Sequence, residues 1–366
     1  MSKNQTSKRS NVRKHLNEIV LLRSLACISI VFYHSIRSAQ KTIPQIPELY
    51  NKFISAITTL FTFGTPTFIF ISILLITYSY PNGLPKDFLS RRFKLIFIPY
   101  ISMAIIYPIL IGLNAKTPVY EIISNIYSYL LGGYHGYFIL IIFQFYLLIF
   151  FFNRFLKNSN PLKIIIFSLL INVAYLAIFN FTNNPIDNQW FDNFWQREFI
   201  IPFVGWISYF SIAYYSGMYM NEFLNILSKY KFLIISSTIL IAIVTTILIY
   251  LKLMPGTSKS VGMLFFTTGM IGCLYLLAIQ IKKLPRALVL INNYSFPIYL
   301  LHLLCIAIFR GIMSYLNLEL GIISVIPYFI ISLIGPICIA YVANKFAFGK
   351  YIVGKVNVIK NKQLAS

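Results

Sequence analysis

The chain has 366 residues, of which 58% are apolar, 17% aromatic and only 11% charged. Soluble domains carry about 25% charged residues, so a mean hydropathy of +0.74 leaves too little polar side chain to coat a soluble fold, and the same composition excludes disordered, collagenous and disulfide-rich secreted classes. Lys and Arg number 31 against 9 Asp and Glu, a net charge of +22, but the cations lie between apolar runs, where they read as topology signals of a polytopic membrane protein rather than a nucleic-acid surface.

Stretches near the ~20 apolar residues that cross a bilayer fall at 19–37, 53–80, 95–113, 137–153, 164–181, 199–220, 232–251, 260–281, 293–313 and 322–344. This predicts an all-α bundle of about ten transmembrane helices, multi-pass in the cell membrane. The first run follows a basic tail (Lys3, Lys8, Arg9, Arg13, Lys14) like a signal n-region, but it lacks a small-residue cleavage site and contains Arg23, so it reads as an uncleaved anchor. Ten crossings put both termini on one side. The segments assigned inside (1–18, 81–94, 154–163, 221–231, 282–291, 345–366) hold 22 Lys and Arg, and those outside (38–52, 114–135, 182–198, 252–259, 314–321) hold 6. The termini are therefore expected in the cytosol. The domain reading is a basic cytosolic tail at 1–18, a membrane domain at 19–345 and a second basic cytosolic tail at 346–366. Within 114–135, Val119–Leu131 is apolar enough to lie along the interface or re-enter.

In the first helix, Arg23 and His34 are eleven residues apart, about 20° apart in azimuth and roughly 16 Å in height. Snorkelling explains Arg23 alone, and an interfacial position explains His34 alone; a shared face with Cys27 and Ile30 between them argues for a joint role. Asn17 as cap and Glu18 in the first turn need no function. Arg37, one turn beyond His34, would disfavour an imidazolium there.

The cytosolic end of the third helix carries Arg91, Arg92 and Lys94. Arginine forks onto phosphate oxygens, although positive-inside sorting places such clusters at any cytosolic boundary. The outside loop 182–198 combines Trp190 and Trp195 with Asp187, Asp192, Asn183, Asn184 and Asn193. Flat rings beside short polar groups suit a sugar, and an interfacial aromatic belt would place the same tryptophans. In the ninth helix, Ser295, Tyr299 and His302 are spaced four and three apart and form one polar stripe, with Pro297 expected to kink the segment. The stripe reads either as hydrogen-bonded helix packing or, through mid-membrane His302, as a functional path. Cys27, Cys273, Cys305 and Cys338 lie in apolar runs without CxxC spacing and read as core filler, and no metal site is expected. No HExxH, GxSxG or P-loop is present.

Arg23 and His34 with ten residues between them, RRFKLIFIPY after the second helix and SFPIYLLH near the end together resemble the membrane-bound acyltransferase-3 family. GTPTFIFIS (64–72), GYFILIIFQFY (136–146), FTNN (181–184) and FVGWISYF (203–210) are similar to its intercellular-adhesion protein C branch. The resemblance spans roughly residues 16–355. Two departures are the Ser-Ile-Leu that follows in place of Ser-Gly-Phe at Ser72, and Lys94 standing loosely for a second spaced arginine.

The resemblance implies ten core helices with cytosolic termini and transfer of an acyl group, acetyl or succinyl, from cytosolic acyl-coenzyme A to hydroxyls of an extracytoplasmic polysaccharide such as poly-N-acetylglucosamine. It implies that His34 is the base near the acceptor and that Arg23 holds the donor's path, with coenzyme A phosphates at Arg91, Arg92 and Lys94. The donor is a co-substrate, and no permanently bound cofactor is expected. Expected partners are the bilayer, the surface polysaccharide and a polysaccharide synthase, and not nucleic acid. The alternatives are a polysaccharide exporter or flippase, for which paired Gly/Pro-broken helices in two related halves would be expected and which Pro66, Pro99, Pro297, Pro327 and Pro336 do not form, and a non-catalytic partner of a polymer synthase.

Overall fold

The computed structural model describes residues 16–43, 46–112, 117–182, 195, 201–318 and 321–356. In chain order the helices are α1 (Leu16–Gln40), α2 (Glu48–Thr59), α3 (Gly64–Ser79), α4 (Phe88–Arg92), α5 (Ile98–Gly112), α6 (Pro118–Leu130), α7 (Tyr137–Phe151) and α8 (Pro161–Phe181). They continue as α9 (Ile207–Met218), α10 (Met220–Lys229), α11 (Lys231–Tyr250), α12 (Val261–Gln280), α13 (Arg286–Tyr315), α14 (Val325–Ala343) and α15 (Gly349–Ile352). Among the described residues nine spans are long and apolar enough to cross a membrane, with α2–α3 and α4–α5 each forming one continuous span. Helices are the expected solution where no water reaches the backbone. The irregular turns within these two spans, a 3-10 turn at Leu60–Phe63 and a π turn at Phe93–Phe97, lie just before Pro66 and Pro99, which have no N–H to give to the carbonyl four residues back.

The segment expected at 199–220 departs from a simple span. It is a 3-10 turn, Phe203–Trp206, followed by the twelve-residue α9, with ten of the twelve buried. Its non-helical start is satisfied from neighbouring helices: Asn172 on α8 donates to the Gly205 carbonyl (3.0 Å) and accepts from the Ser208 N–H (3.2 Å) and hydroxyl (2.7 Å). Gln144 on α7 donates to the Ile201 carbonyl and accepts from the Phe203 N–H, both at 3.0 Å. Irregular backbone at membrane depth is tolerated where protein supplies such partners. The run expected to lie along the interface or re-enter forms helix α6, which packs along α5 and has no buried residue.

Helix α1 packs against α3, α12, α13 and α14 and forms the centre of the bundle. The Ser24 hydroxyl lies 2.6 Å from the Val20 carbonyl and 2.7 Å from the Leu288 carbonyl, tying α1 to α13. Helices α8 and α11 are peripheral, with Leu162, Phe167, Leu170, Phe232, Leu233 and Leu240 exposed as a lipid-facing surface would require. Three details differ from the sequence reading. Helix α1 begins before Asn17, which therefore does not cap it. Helix α13 starts at Arg286, within the expected loop 282–291. Cys27 and Cys305 are buried as expected, whereas Cys338 is exposed.

At Gly64 a Cβ would stand 2.4 Å from the Ala26 carbonyl oxygen, so α3 approaches α1 at a distance that only glycine allows. Gly64→Ala should cost about 1–3 kcal/mol as an overpacked contact and lower the thermal unfolding midpoint of the purified protein. Gly311→Ala, where nothing lies within 4 Å, should leave it unchanged or raise it slightly. Equal midpoints for the two variants would contradict the close approach.

Candidate functional site

The two polar stripes, Arg23 with His34 on α1 and Ser295, Tyr299 and His302 on α13, border the same pair of cavities. An arginine cavity of about 200 Å³ is lined by Arg23, Arg92, Lys355, Ser72, Tyr146, Ser295 and apolar residues, with no acidic side chain. A histidine cavity of about 270 Å³ is lined by His34, His135, His302, Lys259 and the loop 256–259, among others. Arg23 lies in the first third of α1 and His34 in its last third, so the cavities are offset along the bundle axis. Tyr299 lines both. Each is smaller than the roughly 300–1,000 Å³ that enclose a drug-sized ligand, so each accepts one end of a reactant rather than the whole.

Three of the chain's four histidines meet in the histidine cavity. The His302 ring centroid is 5.1 Å from that of His34 and 5.2 Å from that of His135. His302 Nδ1 faces the carbonyls of Ile298 (3.0 Å) and Tyr299 (2.9 Å), so Nδ1 carries the proton. Its buried Nε2 then offers a lone pair, with no partner among the described residues. His135 Nε2 lies 3.3 Å from the Leu300 carbonyl. The Tyr107 hydroxyl donates to that same carbonyl (2.8 Å) and accepts from the Leu304 N–H (2.9 Å), so it bridges successive turns of α13 beside His302. The Tyr299 hydroxyl donates to the His135 carbonyl, and that of Tyr134 to the Tyr100 carbonyl at 2.9 Å. These bonds pin the loop carrying His135 between α5 and α13. Lys259, in the loop before α12, lies with its ammonium 4.9 Å from the centre of the Tyr137 ring, and burial pushes it down to about 8.

Of the expected phosphate-binding group, only Arg92 lines the arginine cavity, with its guanidinium 5.2 Å from the Phe88 ring centre and 5.9 Å from that of Tyr146. Arg91 points elsewhere and pairs with Asp87 at 2.9 Å, and Lys94 is exposed. The Arg37 guanidinium, expected to act on His34, donates to Gln40 (3.3 Å) and Ser55 (3.0 Å). Trp195 lies tilted against Phe179, ring centroids 4.6 Å apart; Trp190, Asp187, Asp192, Asn183, Asn184 and Asn193 lie outside the described residues. Sequence reading missed His135, Lys259 and Lys355, which sit in loops or a tail where no helical period links them to the stripes. The scarcity of histidine was the one available signal for His135. Among the described residues no set of His, Cys, Asp and Glu side chains is placed to hold a metal ion.

The family model for the acyltransferase domain matches residues 16–344, a span that includes both stripes and most residues of both cavities. The chain belongs to the acyltransferase-3 family. It is 33% identical over 361 residues, 95% of this chain and 97% of the relative, to a Bacillus subtilis protein with the provisional name membrane-bound acyltransferase YfiQ. It is 28% identical over 354 residues (92% of this chain, 95% of the relative) to a Staphylococcus aureus protein provisionally named poly-beta-1,6-N-acetyl-D-glucosamine export protein. A Staphylococcus epidermidis protein of the same name is 28% identical over 351 residues, 94% of this chain and 96% of the relative. No solved structure matches the chain.

Within this family member, Tyr299→Phe removes the hydroxyl that holds the His135 carbonyl. Losing one buried hydrogen bond is worth about 1–3 kcal/mol, so amide hydrogen exchange across residues 131–136 should speed up roughly ten-fold or more. Unchanged exchange, read by mass spectrometry, would mean that this bond does not hold the loop.

Proposed function

We propose that this acyltransferase-3 protein is an O-acyltransferase that moves an acyl group, acetyl or succinyl, from cytosolic acyl-coenzyme A to a hydroxyl of an extracytoplasmic polysaccharide such as poly-N-acetylglucosamine. The observation that carries the reading is the pair of cavities offset along the bundle axis, one cationic and one histidine-lined, which share Tyr299 as a wall. Arg23 and Arg92 supply positive charge for the donor's phosphates. The thin pantetheine arm reaches along the α1 and α13 stripes and delivers its thioester past Tyr299 towards His34. A neutral His34 then takes the proton from an acceptor hydroxyl as its oxygen attacks the thioester carbonyl carbon. The carbon–sulfur bond breaks, and the departing thiolate takes the proton back from His34, leaving an ester and free coenzyme A. In the covalent variant a His34 nitrogen attacks first, and the acyl-histidine passes its acyl group to the hydroxyl.

The charge asymmetry of the loops supports cytosolic termini, which orients the arginine cavity towards the donor. Single cysteines at Gln5 and Lys362, in a background without native cysteines, should be inaccessible to impermeant reagents added outside intact cells, and one at Pro185 accessible. The opposite labelling would reverse the donor and acceptor sides.

Positioned proton transfer contributes about 10²–10⁴ in rate. His34→Ala should therefore lower kcat by roughly that factor, with the protein still monodisperse, in an assay with purified protein, acyl-coenzyme A and oligosaccharide. Arg23→Ala should act mainly through the donor KM. The names of the staphylococcal relatives favour a second reading, export of the polymer. A well-folded His34→Ala protein that acylates at the wild-type rate removes the transferase mechanism, and loss of polymer export with acylation intact selects the exporter.

A further inference from the structure

Beyond the residues that match the family model, 16–344, residues 349–356 fold back onto the membrane domain. Helix α15 and the residues to Val356 pack against α5 and the neighbouring π turn. The segment is held at several points: Asn344 donates to the Gly354 carbonyl at 3.1 Å, Ser102 donates to the Tyr351 carbonyl at 3.2 Å, and Val353 is 4% exposed. Gly354 has φ +87, and a Cβ there would stand 2.5 Å from the Phe296 ring, so the turn is built for glycine. The next residue is Lys355, which lines the arginine cavity together with Arg23 and Arg92.

Three cations thus border a small cavity that no acidic side chain lines. Positive charge gathered from three parts of the chain around one cavity favours a multivalent anion there. We propose that the C-terminal strap 349–356 is part of the donor site, and that Lys355 binds the phosphates of coenzyme A at the cavity mouth. The inference rests on the acyl-coenzyme A reading above and adds to it a residue that lies outside the family's matched domain. Lys355 is exposed, so its replacement leaves packing intact. Its position fits the nucleotide end of the donor, which is too large for the cavity and has to remain at the opening.

The test is binding of coenzyme A and of pantetheine, which lacks phosphates, to full-length protein in phosphatidylcholine nanodiscs. Lys355→Gln should weaken coenzyme A binding roughly three- to ten-fold, as expected for one partly exposed charge contact, leave pantetheine binding unchanged and flatten the salt dependence; Lys355→Arg should restore wild-type binding. Equal coenzyme A affinities for wild type and Lys355→Gln, or an equal loss for both ligands, overturn the role of Lys355 while the donor reading stands. A wild-type protein that binds neither ligand overturns the donor reading itself. The same phosphate chemistry belongs to anionic lipids. If phosphatidylglycerol in the nanodiscs blocks coenzyme A binding to wild type but not to Lys355→Gln, the lysine serves a lipid headgroup and the proposal falls.

Discussion

A polar group taken into a bilayer must find its partner within the same protein, because neither lipid nor bulk water supplies one. Much of what is distinctive in this bundle follows from that requirement. Asn172 and Gln144 close off the non-helical start of α9. Tyr107 bridges two turns of α13, and Tyr134 and Tyr299 fasten the loop between α6 and α7. Each bond meets a local cost of irregular backbone, and several of them also fix the place of a histidine.

His302 illustrates the coupling between packing and chemistry. Its Nδ1 proton is committed to backbone carbonyls of its own helix, which leaves Nε2 as a buried lone pair beside His34. His135 arrives from a different part of the chain, positioned by a hydrogen bond to the Leu300 carbonyl, which the Tyr107 hydroxyl shares. Two of the three rings, His302 and His135, are thus oriented by backbone bonds rather than by carboxylates. On the other side of Tyr299 the cationic cavity is organised differently, by long side chains reaching from α1, from α4 and from the C-terminal strap. The division suits the proposed reaction, in which electrostatic capture requires charge with modest precision and proton transfer requires fixed geometry.

Tyr299 joins the two ends. It belongs to the α13 stripe, lines both cavities and is anchored to the loop of His135. On the proposed path the donor's arm passes this ring on its way from one cavity to the other. This arrangement suits a family that belongs to the membrane and is matched here over nearly the whole bundle.

Membrane class, helical architecture and the approximate spans followed from sequence alone, because a bilayer imposes a length and a hydropathy that can be read residue by residue. The faces shared by Arg23 with His34, and by Ser295, Tyr299 and His302, were equally legible, since residues on one helix are related by its fixed geometry. Sequence could not say that these two stripes would border common cavities, that Arg92 rather than Arg91 or Lys94 would line one of them, or that His135 and Lys355 would join from a loop and a tail. Nor could it say that the sixth apolar segment would begin as a turn clasped by Asn172 and Gln144. Those outcomes depend on contacts between residues far apart in the chain, which no local period encodes, and only the packed bundle decides them.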